Sequence, residues 1–226
     1  SGYANSLLYM VTGTAVALVV TILCAYPLSR RTFKNGKVVM ALCIFTMYFS
    51  GGMIPTYLTI RNYNMLNTIW ALILPGSLSV YNMIVMRTYF NTSIPDEMRE
   101  AAQIDGCGEW RFLLQIVLPL SGPILAVIGL YYAVDLWNSY YGALLYISDK
   151  SKLPLANVLR ELLVQSQSLS MENNVTLDST TQALMEKRAE VMRYSLIIVS
   201  SLPVMCLYPF VQKYFVKGVM IGAVKG

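Results

Sequence analysis

The sequence predicts an all-α polytopic membrane protein, and three observations carry that expectation. Long runs without charge recur along the chain. Of its 226 residues, 56% are hydrophobic and 13% are charged, where soluble chains carry about a quarter charged residues. The charges gather between the apolar runs, and mean hydropathy is +0.53.

Five runs, at residues 6–28, 38–60, 66–86, 112–134 and 194–212, contain no charged residue. Each approaches the roughly 20 residues that a membrane helix needs. The first closes on Ala25-Tyr26-Pro27-Leu28-Ser29-Arg30-Arg31, where proline and arginines mark an interface. Arg30, Arg31, Lys34 and Lys37 follow with no acid among them, and an excess of positive charge in a short loop places it on the cytoplasmic side. The loop at Arg61 should then face out. The segment flanked by Arg87 and Arg111 should face in, as should the end that carries Lys213, Lys217 and Lys225. Five spans with an inside C-terminus put the N-terminus outside. The chain begins Ser1-Gly2-Tyr3, with no Met or signal peptide, so a preceding span is expected.

Two runs contain helix breakers. Gly51-Gly52 and Pro55 interrupt the second, and Pro75-Gly76 the third. Such breaks are tolerated at membrane depth where protein or a water-filled cavity satisfies the freed backbone groups. They fit a lining of a translocation path, and equally a kink at close helix packing.

Between the third and fourth runs, residues 94–111 are dense in charge. Asp96, Glu97, Glu100, Asp105 and Glu109 stand with Arg99 and Arg111. Pro95 followed by acids predicts a helix start, because proline suits a first turn and carboxylates complement the helix dipole there. Ala101 and Ala102 give that helix a small face, and Asp105-Gly106 ends it, since glycine accepts the left-handed cap conformation. A short helix with one smooth face, held between two spans, has the form of a docking element.

After the fourth run comes Asp135-Leu136-Trp137-Asn138-Ser139-Tyr140-Tyr141. Asp135 abuts an apolar run on its outer side, and an ionisable residue there is a functional candidate. Trp137, Tyr140 and Tyr141 offer flat apolar faces with polar tips, which suits stacking on sugar rings and, more readily, an interfacial aromatic belt. Asn82, Asp135, Trp137, Asn138 and Tyr141 are the candidate substrate-path residues. Residues 148–190 carry nearly balanced charges, and a long loop of that kind translocates regardless of charge. Leu155, Val158, Leu159, Leu162 and Leu163 recur at helical spacing, which predicts an amphipathic helix over 154–164 on the outer membrane face. The polar stretch 166–181 reads as irregular.

Several function classes are excluded. Histidine is absent, removing the commonest general base and metal ligand, and no carboxylate pair lies within a span, so a membrane-embedded enzyme is not expected. Cys24, Cys43, Cys107 and Cys206 show no CxxC spacing and imply neither a metal site nor a disulfide framework. The net charge of +5 flanks membrane spans, which favours lipid head groups and topology over nucleic acid.

Glu100-Ala101-Ala102, Gly106 and Ile116-Val117-Leu118-Pro119 together resemble the EAA motif of ABC-importer permeases. Asp105, Phe112, Leu120-Ser121 and Pro123 match its sugar-permease form. The stretches 45–58, 67–76, 133–144 and the VKGVMIGAVKG end are similar to the binding-protein-dependent carbohydrate permeases, of the MalG-like and LplC/YtcP type. Cys107 departs from the alanine usual there, and its small apolar side chain should preserve packing.

The resemblance implies a single type I ABC importer transmembrane domain over 1–226, with five helices present, a preceding one missing and a coupling helix within 94–111. It implies a multi-pass protein of a bacterial plasma membrane, of Gram-positive kind. Glu100, Ala101, Ala102, Asp105 and Gly106 would be the ATPase-coupling residues, with Glu100 facing an arginine of the ATPase. A second permease, two ATPase subunits and an extracytoplasmic sugar-binding lipoprotein would be the partners. The chain itself would be a transport subunit without a cofactor, ATP-Mg being held by the ATPase subunits. The tail from Lys213 would contact those subunits. An ABC permease for a non-sugar solute is the alternative.

Overall fold

A computed structural model describes residues 2–30 and 32–173, and beyond them residues 187, 190, 191, 194, 195, 197–203, 205 and 206. Among these the secondary structure is helical throughout. Helix α1 (Gly2–Leu28) is the axis of the fold. At 1.5 Å per residue, its 27 residues extend about 40 Å, enough to cross a hydrocarbon core. Gly13, Ala17, Thr21 and Ala25 lie four apart on α1, and all are buried. This stripe of small side chains allows close approach of a second helix, here α9 (Gly122–Asn138). A Cβ at Gly13 would lie 2.6 Å from Leu136 Cδ1.

The second apolar run does not form one straight span. Helices α2 (Gly36–Tyr48) and α3 (Met53–Asn62) meet at 112°. Gly52 at the break has φ +84°, which a side chain would disfavour. Helix α2 buries no residue against the rest of the chain, leaving Val38, Leu42, Phe45 and Tyr48 exposed. A helix apolar on all sides has lipid or another chain for a neighbour.

The third run departs further from one continuous span. It forms one turn, α4 (Trp70–Ile73), breaks across Pro75-Gly76, and restarts as α5 (Val80–Ser93). Ser79 caps that restart, accepting from the Asn82 N–H at 3.4 Å, and the helix runs on past Arg87 to Ser93.

The fourth run is likewise divided. Helix α6 (Asp96–Ile104) leads to α7 (Glu109–Phe112), a wide π turn at Leu113–Val117 and the short α8 (Leu118–Leu120). The chain then bends by 82° into α9. Pro119 and Pro123 lack the N–H that a continuous ladder needs, and Gly122 offers no packing side chain. Thus α1 alone is long and apolar enough to cross a membrane by itself among the described residues. The pairs α2–α3 and Glu109–Leu120 with α9 pass the same test only jointly.

Helix α9 ends at Asn138, and α10 (Tyr140–Tyr146), a 3-10 turn at Lys150–Lys152 and α11 (Leu155–Asn173) follow. Helix α11 overruns the expected boundary, since 166–173 are helical rather than irregular. No Gly or Pro falls within α11 to stop it. It packs on α1 and α10. Residues 174–181, part of the last run and the tail from Lys213 lie outside the described residues.

Alanines 17 and 25 of α1, Met83, Met86 and Phe90 of α5, and Ile128 and Tyr132 of α9 form the main core. Tyr132 ties these helices together: its hydroxyl lies 2.8 Å from Thr21 Oγ1 and accepts from the Ser79 N–H at 3.0 Å. A smaller cluster of Met10, Ala133, Trp137 and Leu155 closes the opposite end of α1.

Candidate coupling site

The helix α6 begins and ends where local chemistry dictates. Pro95 is extended (φ −61°, ψ 146°), and Asp96 and Glu97 occupy the first turn. At the far end Gly106 adopts φ +76°, and the Cys107 N–H donates to the Ala102 carbonyl at 2.8 Å. No atom would lie within 4 Å of a Cβ at Gly106, so glycine is required there by backbone conformation and not by space.

The helix divides into two faces. Ala102 points inward and joins the core of Phe90, Ile94, Phe112 and Leu113. Glu97, Glu100, Ala101, Ile104 and Asp105 are exposed. The expected pair of small docking residues is therefore split: Ala101 is available to a partner, whereas Ala102 seats the helix on its own chain. Sequence reading missed Ile104, which is 87% exposed. An isoleucine at helical spacing from Glu97 and Ala101 was the available signal. Trp110, just beyond the helix, is exposed as well.

The underside of α6 is held by a carboxylate that sequence reading left unassigned. Glu109 Oε2 accepts from the Tyr26 hydroxyl at 2.6 Å. Its Oε1 accepts from Gln103 Nε2 at 3.2 Å and pairs with Arg99 Nη1 at 3.5 Å. One side chain thus joins α1, α6 and α7. The Arg30 guanidinium stacks over the rings of Tyr26 (4.5 Å) and Phe112 (5.3 Å), within range of a cation–π attraction. Arg87 Nε donates to the Leu28 carbonyl at 2.7 Å, satisfying one of the unpaired acceptors at the end of α1. Together these contacts tie α6 to α1 and α7 and leave its other face exposed.

Of the substrate-path candidates, Trp137 and Asn138 line one cleft, and Asn82, Asp135 and Tyr141 do not join them there. Asn82 is buried in the first turn of α5, while Asp135 and Asn138 are exposed near the end of α9. Asn138 Nδ2 turns back to the Val134 carbonyl at 2.9 Å. Tyr141 is exposed, its hydroxyl 2.8 Å from Met53 Sδ. Trp137 is 6% exposed; it meets Tyr3 edge-on and donates to the Ser200 carbonyl at 3.0 Å. The indole is packed at one edge of a cleft that Asn138, Tyr140 and Arg160 also line. No group of three or more metal-ligating residues occurs among the described residues.

A bent-helix membrane bundle that carries a braced, outward-facing helix at its Glu-Ala-Ala motif is the architecture of an importer permease. The chain belongs to the family described as the binding-protein-dependent transport system inner membrane component, which matches residues 5–221. Among curated proteins it is 42% identical to Protein LplC of Bacillus subtilis over 98% of this chain and 72% of that protein. It is 40% identical to the polygalacturonan/rhamnogalacturonan transport system permease protein YtcP of the same organism, over 98% and 75%. Among solved structures, a bacterial ABC transporter involved in import of the acidic polysaccharide alginate superposes with a TM-score of 0.81. That match is 30% identical and covers 95% of this chain and 74% of the other.

Proposed function

We propose that this chain is one of two permease subunits of an ATP-driven carbohydrate importer, and that α6 is the element through which ATPase subunits drive it. One observation carries the coupling role: Glu100, Ala101 and Ile104 share the exposed face of a helix whose other face enters the core through Ala102 and is tied to Glu109 through Arg99 and Gln103. Closure of an ATPase dimer would press on that face. The Glu109 and Ala102 contacts would pass the displacement to α1, and the bundle would rock between outward- and inward-facing states. Ala101 allows close approach, and Glu100 supplies a charge-assisted hydrogen bond to a basic ATPase residue. Similarity to permeases named for polygalacturonan/rhamnogalacturonan transport and for melibiose, raffinose and stachyose import supports carbohydrate as cargo. The remaining parts are a second permease, an extracytoplasmic binding protein and Mg-ATP on the ATPase subunits.

Uptake into vesicles that contain the whole importer tests this reading. Labelled oligosaccharide should accumulate with ATP, and labelled amino acid should not. Glu100→Arg should lower uptake about tenfold or more, the factor lost with one good charged contact, while the protein stays in the membrane at normal level. Undiminished uptake by that variant would refute the coupling role.

A further inference from the structure

The end of the molecule opposite α6 holds a cleft between α10 and α11, with a volume of about 520 Å³. Leu144, Ile147 and Val164 give it an apolar wall. Asn157, Arg160 and Lys150 give it a polar one. The size lies within the usual range for a small-ligand site, and so does the combination of apolar lining with a few polar groups.

Two of its groups lack the partners that a finished packing site would supply. Asn157 is 6% exposed, and its Nδ2 donates to the Tyr140 carbonyl at 3.1 Å, but its Oδ1 is buried with no hydrogen-bond partner. A buried acceptor left unpaired is penalised, so the site is short of one donor. Arg160 stands one turn further along α11, between this cleft and a neighbouring one lined by Asn138 and Tyr140. Its guanidinium rests over the Tyr140 ring at 5.9 Å and makes no ion pair or hydrogen bond among the described residues. Glu161 also lines the cleft, but it does not neutralise Arg160, because it pairs with Lys150 at 2.5 Å. The cleft thus offers an acceptor for a hydroxyl, a free planar fork for a carboxylate, and an apolar wall for a ring face.

We propose that this cleft is a subsite for an acidic sugar unit, its carboxylate on Arg160 and a ring hydroxyl on Asn157 Oδ1. The proposal rests on the carbohydrate reading above and narrows it to uronate-bearing chains. An anionic lipid head group also combines negative charge with hydroxyls, and the test separates the two.

Binding of trigalacturonate and of its uncharged methyl ester is measured on the complete importer in phosphatidylcholine nanodiscs, then repeated with phosphatidylglycerol added. Arg160→Gln is suited to this because the side chain is exposed and folding does not depend on it. The variant should weaken the acid about tenfold, as for loss of a bidentate charged contact, and leave the ester unchanged. Arg160→Lys should recover part of the loss, since a point charge replaces the fork. Asn157→Leu should weaken acid and ester alike. Equal behaviour of acid and ester in Arg160→Gln overturns the subsite, and so does displacement of the acid by phosphatidylglycerol. Absence of saturable acid binding while neutral oligosaccharide is still taken up overturns the subsite and leaves the importer standing. Loss of uptake of every carbohydrate tried overturns both.

Discussion

The two ends of α1 are fastened by different chemistry. At the α6 end the fastening is side chain to side chain and charged: Tyr26, Arg99 and Gln103 converge on Glu109. At the opposite end it is uncharged and reaches mostly backbone. Asn5 Nδ2 donates to the carbonyls of Ser151 (2.7 Å) and Leu153 (3.1 Å), and the Tyr9 hydroxyl to that of Lys152 (2.7 Å). Ser6 Oγ accepts from the Leu155 N–H at 2.8 Å. Asn67 joins this end, with Oδ1 accepting from the N–H groups of Ser148 and Asp149. Asp149 is drawn into the same turn, where the Ser151 hydroxyl and N–H hold its carboxyl below the ordinary carboxylate range. Backbone-directed bonds fix the path of a loop. A charged knot between three helices fixes their relative orientation, which a lever requires.

Three substitutions sharpen that contrast, taken from the largest expected effect. Gly106→Val places a β-branched residue at φ +76°, where a left-handed conformation costs at least about 1–2 kcal/mol. The cap of α6 should open, and ATPase subunits should co-purify with the permease at a small fraction of the normal yield. Gly106→Ala, with the same open space, should lose less. Equal co-purification of the valine variant would remove the cap from the coupling mechanism.

Glu109→Gln keeps the shape and the Tyr26 contact but discards the charge that holds Arg99. Its side chain is 49% exposed, so solvent screening limits the loss to about 1 kcal/mol. Thermal stability in detergent should fall slightly. The fraction of ATP turnovers that drive uptake should fall more, since orientation of α6 is what the carboxylate secures. A drop in stability with coupling intact would make Glu109 a mere packing residue.

At the opposite end, Asn67→Gly retains the left-handed backbone (φ 60°) and removes the two bonds to Ser148 and Asp149. Stability should fall by about 1 kcal/mol, with ATPase association unchanged. If ATPase association falls too, the two ends are not separable and the comparison fails.

Local chemistry made α6 legible. Pro95, the acids after it and Gly106 mark its limits without help from the rest of the chain. The break in the run 66–86 was marked by Pro75-Gly76, but the one in 112–134 was less legible, because average hydropathy ignores where Gly122 and Pro123 divide the helix. The stripe Gly13, Ala17, Thr21, Ala25 was present in the sequence at helical spacing, but its meaning depends on a partner helix more than a hundred residues away. The Glu109 knot could not be read at all, since Tyr26 lies 83 positions from it. Nor could spacing show which of the adjacent Ala101 and Ala102 is exposed and which enters the core.

The sequence by itself determined a helical membrane chain, its family, and the start and stop of α6. These depend on composition, hydropathy and capping residues, each acting over a few positions. Tertiary structure decided which side of that helix is free, which carboxylate braces it, and that Asn157 and Arg160 border one cleft with unmet bonds. Those outcomes come from contacts between segments far apart along the chain, where hydrogen-bond geometry and burial select among many pairings that the local sequence allows equally.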